Sequence, residues 1–290
     1  MPTANLQTPE ELIQVALAKL NSLATLPEVT TKIIQTVEDP KSSAAQLHKI
    51  VSYDPALVTR ILKVVNSAFY GLPGQIASVE RAIVLLGLNA VKNIAVAASL
   101  GQMFRGVKLC DGYTARDLWT HCIGVAVTAR ELARQSRVPL TEEAFLAGMI
   151  HDIGILVSLQ TWPERLRAVC EQAKNATEPF TQIEQQMVGV DHEALGAALC
   201  ERWQFPKSCQ WVAGSHHRPS TGGEGSRTLV GLVYIADTLC CETKIGFSLT
   251  ARHQVLPPDI AQTYGLDPLA IEKTRSTLPT LMSNAASFLG

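Results

Sequence analysis

Several histidines and aspartates in this 290-residue chain sit where surface residues do not belong. His151 and Asp152 are adjacent in the middle of Phe145 to Leu159, FLAGMIHDIGILVSL, a segment otherwise built for burial. A carboxylate in that setting is costly unless it is paired or bound to a metal. Neutral imidazole and carboxylate together ligate iron, manganese or zinc. The plainer reading is a hydrogen-bonded His–Asp pair or a contact at a helix end. Asp237 repeats the anomaly, directly after the apolar run Leu232 to Ala236. His121 stands early in a helical run, His192 follows Asp191, and His216 and His217 are neighbours just before a polar loop. Singly, each is a residue that a core can absorb. Together, His121, His151, Asp152, His192, His216, His217 and Asp237 form a candidate divalent-metal site, because facing helices of a bundle can converge such side chains.

The elements that must position these residues read as helices almost throughout. Pro9 to Leu23 has apolar side chains at helical spacing. Pro27 opens a second helix, and Ala44 to Ser52 is a third. Asp54-Pro55 is a strong start signal, since aspartate caps free N–H groups and proline loses nothing at the first position. Ser78 caps a helix that Gly87 ends, and Asn89 to Phe104 follows. Periodicity is lost over Arg105 to Gly112, the best candidate boundary. Helical runs resume over Leu118–Gln135, Ala144–Leu159 with Thr141 to Glu143 as its cap, Pro163–Ala173, Phe180–Val188, His192–Trp203, Lys207–His216, Thr228–Lys244 and Pro268–Phe288. The candidate ligands therefore lie on five separate helices. Arg218 to Arg227 reads as a loop. Arg60 and Lys63 read as a solvated face, and Trp203 and Trp211, flanking Pro206, as core.

Composition narrows the class. Hydrophobic residues make up 47%, aromatics 6%, and the formal net charge is −1. That excludes a disordered chain and argues against a general nucleic-acid coat. The most apolar window, Ala144 to Leu159, is short of the about 20 residues a bilayer needs, so no membrane span is expected. Met1 to Gln14 has no lysine, arginine or long apolar run and does not read as a signal peptide. Seven scattered cysteines without a CxxC pair point to a reduced, cytoplasmic protein.

His121, the pair His151-Asp152 with Ile153-Gly154 after it, and Asp237 resemble the HD superfamily of metal-dependent phosphohydrolases. His192 and the doublet His216-His217 are similar to the extra ligands of its HD-GYP branch, which degrades cyclic di-GMP. The N-terminal half points to a narrower relative. Leu23-Ala24-Thr25-Leu26-Pro27, the helix from Asp54 through Asn66-Ser67-Ala68-Phe69-Tyr70-Gly71, and Ser78 to Gly87 resemble the HDOD domain, the HD-related output domain of bacterial signalling. The resemblance covers roughly residues 8–245 and implies an all-α fold, with an N-terminal helical bundle (8–105) packed on an HD-like half (113–245). A C-terminal extension (246–290) lies outside it, and its terminal helix either packs on the HD-like half or mediates homodimerisation.

The resemblance implies a signalling output or scaffold module that meets a protein partner, or a nucleotide or phosphate ligand, without turnover. The alternative is a metal-dependent phosphohydrolase, in which metal activates water for attack at phosphorus. Three departures favour the first. Ile155 stands where the HD-GYP enzymes have lysine, Arg218 to Gly223 lacks the Gly-Tyr-Pro signature, and no arginine follows His121 at the short family spacing. Groups that bind or polarise phosphate are thereby removed.

Overall fold

Short polar side chains and prolines set most of the helix starts. Asp54 Oδ1 accepts from the Leu57 amide at 2.9 Å, and Pro55 follows it as the first helical residue. Ser43 and Gln46 make a reciprocal capping box, as do Thr114 and Asp117. Asp191 Oδ1 accepts from the Ala194 amide at 2.8 Å.

The computed structural model describes residues 8–23, 26–104, 106–221 and 226–289. Ala24 and Thr25 of the Leu23 to Pro27 string, and residues 222–225 of the loop before Arg227, fall outside them. The N-terminal half comprises α1 (Pro9–Leu23), α2 (Glu28–Glu38), α3 (Ala44–Val51), α4 (Pro55–Val65), α5 (Val79–Leu86) and α6 (Leu88–Leu100). Helix α6 is buried nearly all round, and α2, α4 and α5 pack on it. A two-stranded antiparallel hairpin, β1 (Lys108–Cys110) and β2 (Tyr113–Thr114), leads into the second half. There follow α7 (Ala115–Gln135), α8 (Thr141–Ile150), α9 (Ile153–Thr161), α10 (Pro163–Ala173), α11 (Phe180–Met187), α12 (His192–Arg202), α13 (Lys207–Ser215), α14 (Arg227–Glu242), α15 (Ile260–Thr263) and α16 (Pro268–Asn284). The fold is all-α, and the hairpin holds all the strand structure among the described residues.

Helix α7 is the spine of the second half, with α8, α14 and α16 laid against it, while α12 lies between α9 and α13. The halves share one continuous apolar core, joined where α6 meets α8 and where α1 meets α9 and α12. Helix α16 packs on α7, and the 3₁₀ turn Ala285–Leu289 that follows it reaches α4 of the N-terminal half. Phe69, Phe145 and Phe288 cluster at that junction, with ring centroids 5.3–5.9 Å apart.

Four expectations need correction. The single helix expected over Ala144–Leu159 is two, because the chain turns at His151-Asp152. Thr141 is the first residue of α8 and not its cap, which is Leu140. The stretch without periodicity before Thr114 contains the hairpin, turned at Asp111-Gly112. Trp203 is buried, but Trp211 is 47% exposed. Taken as one span, Thr141–Thr161 is long and apolar enough to cross a membrane, and 94% of its most apolar window is buried among the other helices. All seven cysteines are free and buried.

Candidate metal centre

The turn between α8 and α9 presents two consecutive residues to the interior, which an uninterrupted helix would have splayed about 100° apart. His151 and Asp152 occupy it, and both are fully buried. Gly154 follows in the first turn of α9. A Cβ at Gly154 would lie 1.9 Å from the His192 carbonyl oxygen, so α9 and α12 touch backbone to backbone only because this residue is glycine. The contact brings Asp152 and His192 together. His121 comes from the second turn of α7, Asp237 from the middle of α14, and His216 and His217 from the end of α13.

The seven predicted residues converge in two sets. Ligating atoms of Asp152, His192, His216 and His217 lie within 4.8 Å of one another, and so do those of His121, His151 and Asp237. Asp152 joins the sets. Its Oδ1 lies 3.3 Å from both His192 Nε2 and His216 Nε2. Its Oδ2 lies 3.4 Å from His151 Nε2 and 3.7 Å from His121 Nε2. Asp237 Oδ1 is 3.1 Å from His121 Nε2, and its Oδ2 is 3.7 Å from His217 Nδ1. His48 and His253, the other two histidines, lie outside both sets.

Each imidazole is oriented from behind. Nδ1 faces the carbonyl of Ile245 in His121 (3.3 Å), of Gly148 in His151 (2.7 Å) and of Val212 in His216 (3.1 Å). In His192 it faces Glu184 Oε2 at 2.6 Å, and in His217 Gln254 Oε1 at 2.7 Å. An acceptor at Nδ1 keeps the proton there and leaves a lone pair on Nε2, the arrangement that metal-ligating histidines use. With every ring neutral, five such lone pairs would point at a common space; without metal, His192 keeps a second proton that it can donate to His217 Nε2. His192 Nε2 is only 3.0 Å from His217 Nε2. His121 Nε2, His151 Nε2 and Asp152 Oδ1 are buried without a hydrogen-bond partner. Buried polar atoms are rarely left so, and a divalent cation held by each set would satisfy them. Imidazole nitrogen and carboxylate oxygen suit iron, manganese or zinc.

Electrostatics agree. Burial opposes charge on Asp152 and Asp237, but the imidazoles around them outweigh it, holding Asp152 well below the ordinary carboxylate range and Asp237 at about 2. Burial likewise opposes the imidazolium at His151 and His192, and the carboxylates beside them outweigh it. His192, with Glu184 against its ring, is raised to about 10. Burial and the neighbouring His216 and His192 push His217 well below the usual histidine value.

A pH dependence follows for the metal-free protein. A histidine raised from about 6.5 to about 10 contributes stability that is fully present below pH 6.5 and is lost as pH rises through 10. Metal must displace that proton, so apparent metal affinity rises over the same interval, by up to about tenfold per pH unit. Calorimetric titration at pH 7.5 in buffers of different ionisation enthalpy should show proton release on loading. A heat independent of the buffer contradicts this.

Sequence reasoning missed the groups behind the ligands. Glu184 accepts from the His192 amide at 3.0 Å as well as facing its ring. Fully buried Glu193 accepts from the His217 amide at 2.9 Å and pairs with Arg218 Nη2 at 2.7 Å. Thr250 Oγ1 donates to Asp152 Oδ2, and Gln254 Nε2 to Asp237 Oδ2, both at 3.3 Å. Glu193 had a visible signal, a third consecutive ionisable residue in Asp191-His192-Glu193. Thr250 and Gln254 had none, since they lie in irregular chain beyond the last apolar run. Gly246 (φ +64°) carries the chain there, and a Cβ on it would lie 2.2 Å from the Asp117 carbonyl oxygen. A cavity of about 410 Å³ opens beside the centre, lined by Phe180, Gln182, His217, Arg218, Thr250 and Gln254.

Comparison with known proteins places this geometry in a family. The family model of the HDOD domain matches residues 23–219. An HDOD domain protein of unknown function from Geobacter sulfurreducens has a similar crystal structure, with a TM-score of 0.79 and 20% identity over 96% of this chain and 98% of that one. A protein from Shewanella amazonensis SB2B, provisionally named a metal-dependent phosphohydrolase, superposes with a TM-score of 0.61 at 23% identity, covering 97% and 99% of the two chains. An uncharacterized protein of Treponema pallidum (strain Nichols) is 24% identical over 220 residues, 76% of this chain, and the chain spans 42% of that relative's length. Two thirds of the sequence, including six of the seven converging residues, thus falls within one family match, and the chain belongs to the HDOD family.

Proposed function

We propose that this protein is a cytoplasmic signalling output module of the HDOD type that binds divalent transition metal at the His/Asp centre and acts on a protein partner without turning over a substrate. One observation carries the metal part of the reading. The two oxygens of Asp152 face different ligand sets, with every histidine Nδ1 held from behind and every Nε2 turned inward. A metal pair there supplies Lewis acidity. Its ligands would be His121, His151 and Asp237 on one side and His192, His216 and His217 on the other, with Asp152 between them.

The groups around the centre are poorly suited to turnover. Ile155, in place of the lysine of the HD-GYP enzymes, is fully buried and offers no charge. Arg218, the one arginine lining the adjacent cavity, is engaged by Glu193. A phosphate entering there meets His217, Gln254 and Thr250, and the one arginine of the wall is already committed.

The second reading, a phosphohydrolase acting on a nucleotide second messenger, is favoured by that same cavity, which is large enough for a small ligand and reaches His217. In it, Gln254 and Thr250 orient the ligand beside the centre, and burial of the remaining ligands excludes water from all but one side. Protein reconstituted anaerobically with iron, manganese or zinc separates the readings when screened on cyclic dinucleotides and simple phosphoesters. The module reading expects near-stoichiometric metal and no hydrolysis above the free-metal background. Turnover at ordinary enzymatic rates would overturn it, and a metal-free product would overturn both.

A further inference from the structure

Two further unsatisfied groups, Arg60 Nε and Ser287 Oγ, lie away from the metal centre. A partly open cavity of about 160 Å³ is bounded by α4, the end of α6, the start of α7 and the 3₁₀ turn Ala285–Leu289; Arg60, the exposed Lys63, Gln102, Trp119, Ser287 and Phe288 line it. We propose that it is a binding site for a small oxyanion of the phosphate class.

Four features converge on that chemistry. Arg60 and Lys63, three apart on α4, face the same space, and neither forms an ion pair among the described residues. No acidic residue lines the cavity. Arg60 Nε and Ser287 Oγ are both buried in it without a hydrogen-bond partner, two donors waiting for one acceptor. The remaining polar wall is Gln102, another donor. A guanidinium matches a tetrahedral oxyanion through parallel N–H bonds, and the ammonium of Lys63 adds a point charge.

Size limits the occupant. The space equals that of about five waters, enough for a phosphate group and well short of a cleft that swallows a nucleoside. The indole of Trp119 forms one wall and is fixed by a 3.0 Å hydrogen bond from its Nε1 to the Phe288 carbonyl. An anion bound here would therefore tie α4, α7 and the C-terminal turn together. Lys63 is exposed, as expected of a solvated face, whereas Arg60 is half-buried with its Nε out of water.

Trp119 also makes the site readable. Full-length protein is titrated with inorganic phosphate, with sulfate, and with acetate as a planar control, following tryptophan emission and, in parallel, calorimetric heat. The expected result is saturable phosphate binding in the millimolar range, with acetate at least several-fold weaker. Arg60→Gln with Lys63→Gln should weaken it tenfold or more, and Arg60→Lys less. Trp119→Phe should remove the optical signal and keep the heat. Asp152→Asn should leave phosphate binding intact. The proposal is overturned if no saturable binding occurs, if the Arg60/Lys63 double variant binds as the parent does, or if Asp152→Asn abolishes binding, which would put the phosphate at the metal centre. Should the double variant not fold, Ser287→Ala is the deciding change, with unaltered affinity counting against the site.

Discussion

Asp152→Asn should empty the metal centre altogether, with both ligand sets losing their cation. The substitution keeps the shape of the side chain but removes its charge. A neutral amide can offer one carbonyl oxygen where Asp152 offers an oxygen to each set. Removing a group that merely orients a ligand costs about 10–100-fold in metal affinity. Loss of the shared carboxylate should exceed that range at both positions, whereas Glu184→Gln, which only disturbs His192 from behind, should fall within it. Metal content by inductively coupled plasma mass spectrometry, measured after identical anaerobic loading, checks the contrast. Circular dichroism checks that the fold persists. Near-stoichiometric metal in Asp152→Asn would mean that the carboxylate serves the histidines as a structural partner and nothing more.

Gly154→Ala should be among the most damaging single methyls that the described residues could take. At 1.9 Å from the His192 carbonyl oxygen and 2.8 Å from the Gly196 amide nitrogen, the added Cβ meets backbone on both sides. No side chain can swing away to admit it, so α9 and α12 must separate. Core overpacking costs about 1–3 kcal/mol when side chains can adjust. Here the backbone must move, and a loss above about 3 kcal/mol is expected in urea unfolding, together with weakened metal binding because Asp152 and His192 part company. Gly148, facing the Ala126 backbone at 2.9 Å, is the same kind of contact made less severely, and Gly148→Ala should cost less. Equal stabilities for Gly154→Ala and the parent would be incompatible with the helix contact described.

The sequence made the helices and the seven inward residues readable for a common reason: both are signalled by what surrounds a residue in the chain. Asp54-Pro55 caps a helix through the next few amides, and an aspartate among Val233, Ile235 and Leu239 is conspicuous to its neighbours. The turn at His151-Asp152 was not readable, because α8 and α9 are both apolar on all sides and leave periodicity nothing to interrupt. Nor were the supports. Glu184 earns its place through His192, and Gln254 through His217 and Asp237, contacts between elements that no local pattern encodes. Trp211 fails for the opposite reason, since bulk and flanking proline suggested burial while the exposed face of α13 received it.

The supports from beyond Gly246 also bear on how the molecule is made. The first imidazole of the centre arrives with α7, yet the oxygen that orients it belongs to Ile245, and the amide that orients His217 belongs to Gln254. Until that late stretch has left the ribosome, His121 and His217 lack the groups that orient their rings, while His151, His192 and His216 already have theirs. Contacts this distant along the chain are slow to close. The helices of the N-terminal half can therefore form early, whereas the full ligand set can be oriented for a metal only once residues 245–254 have emerged.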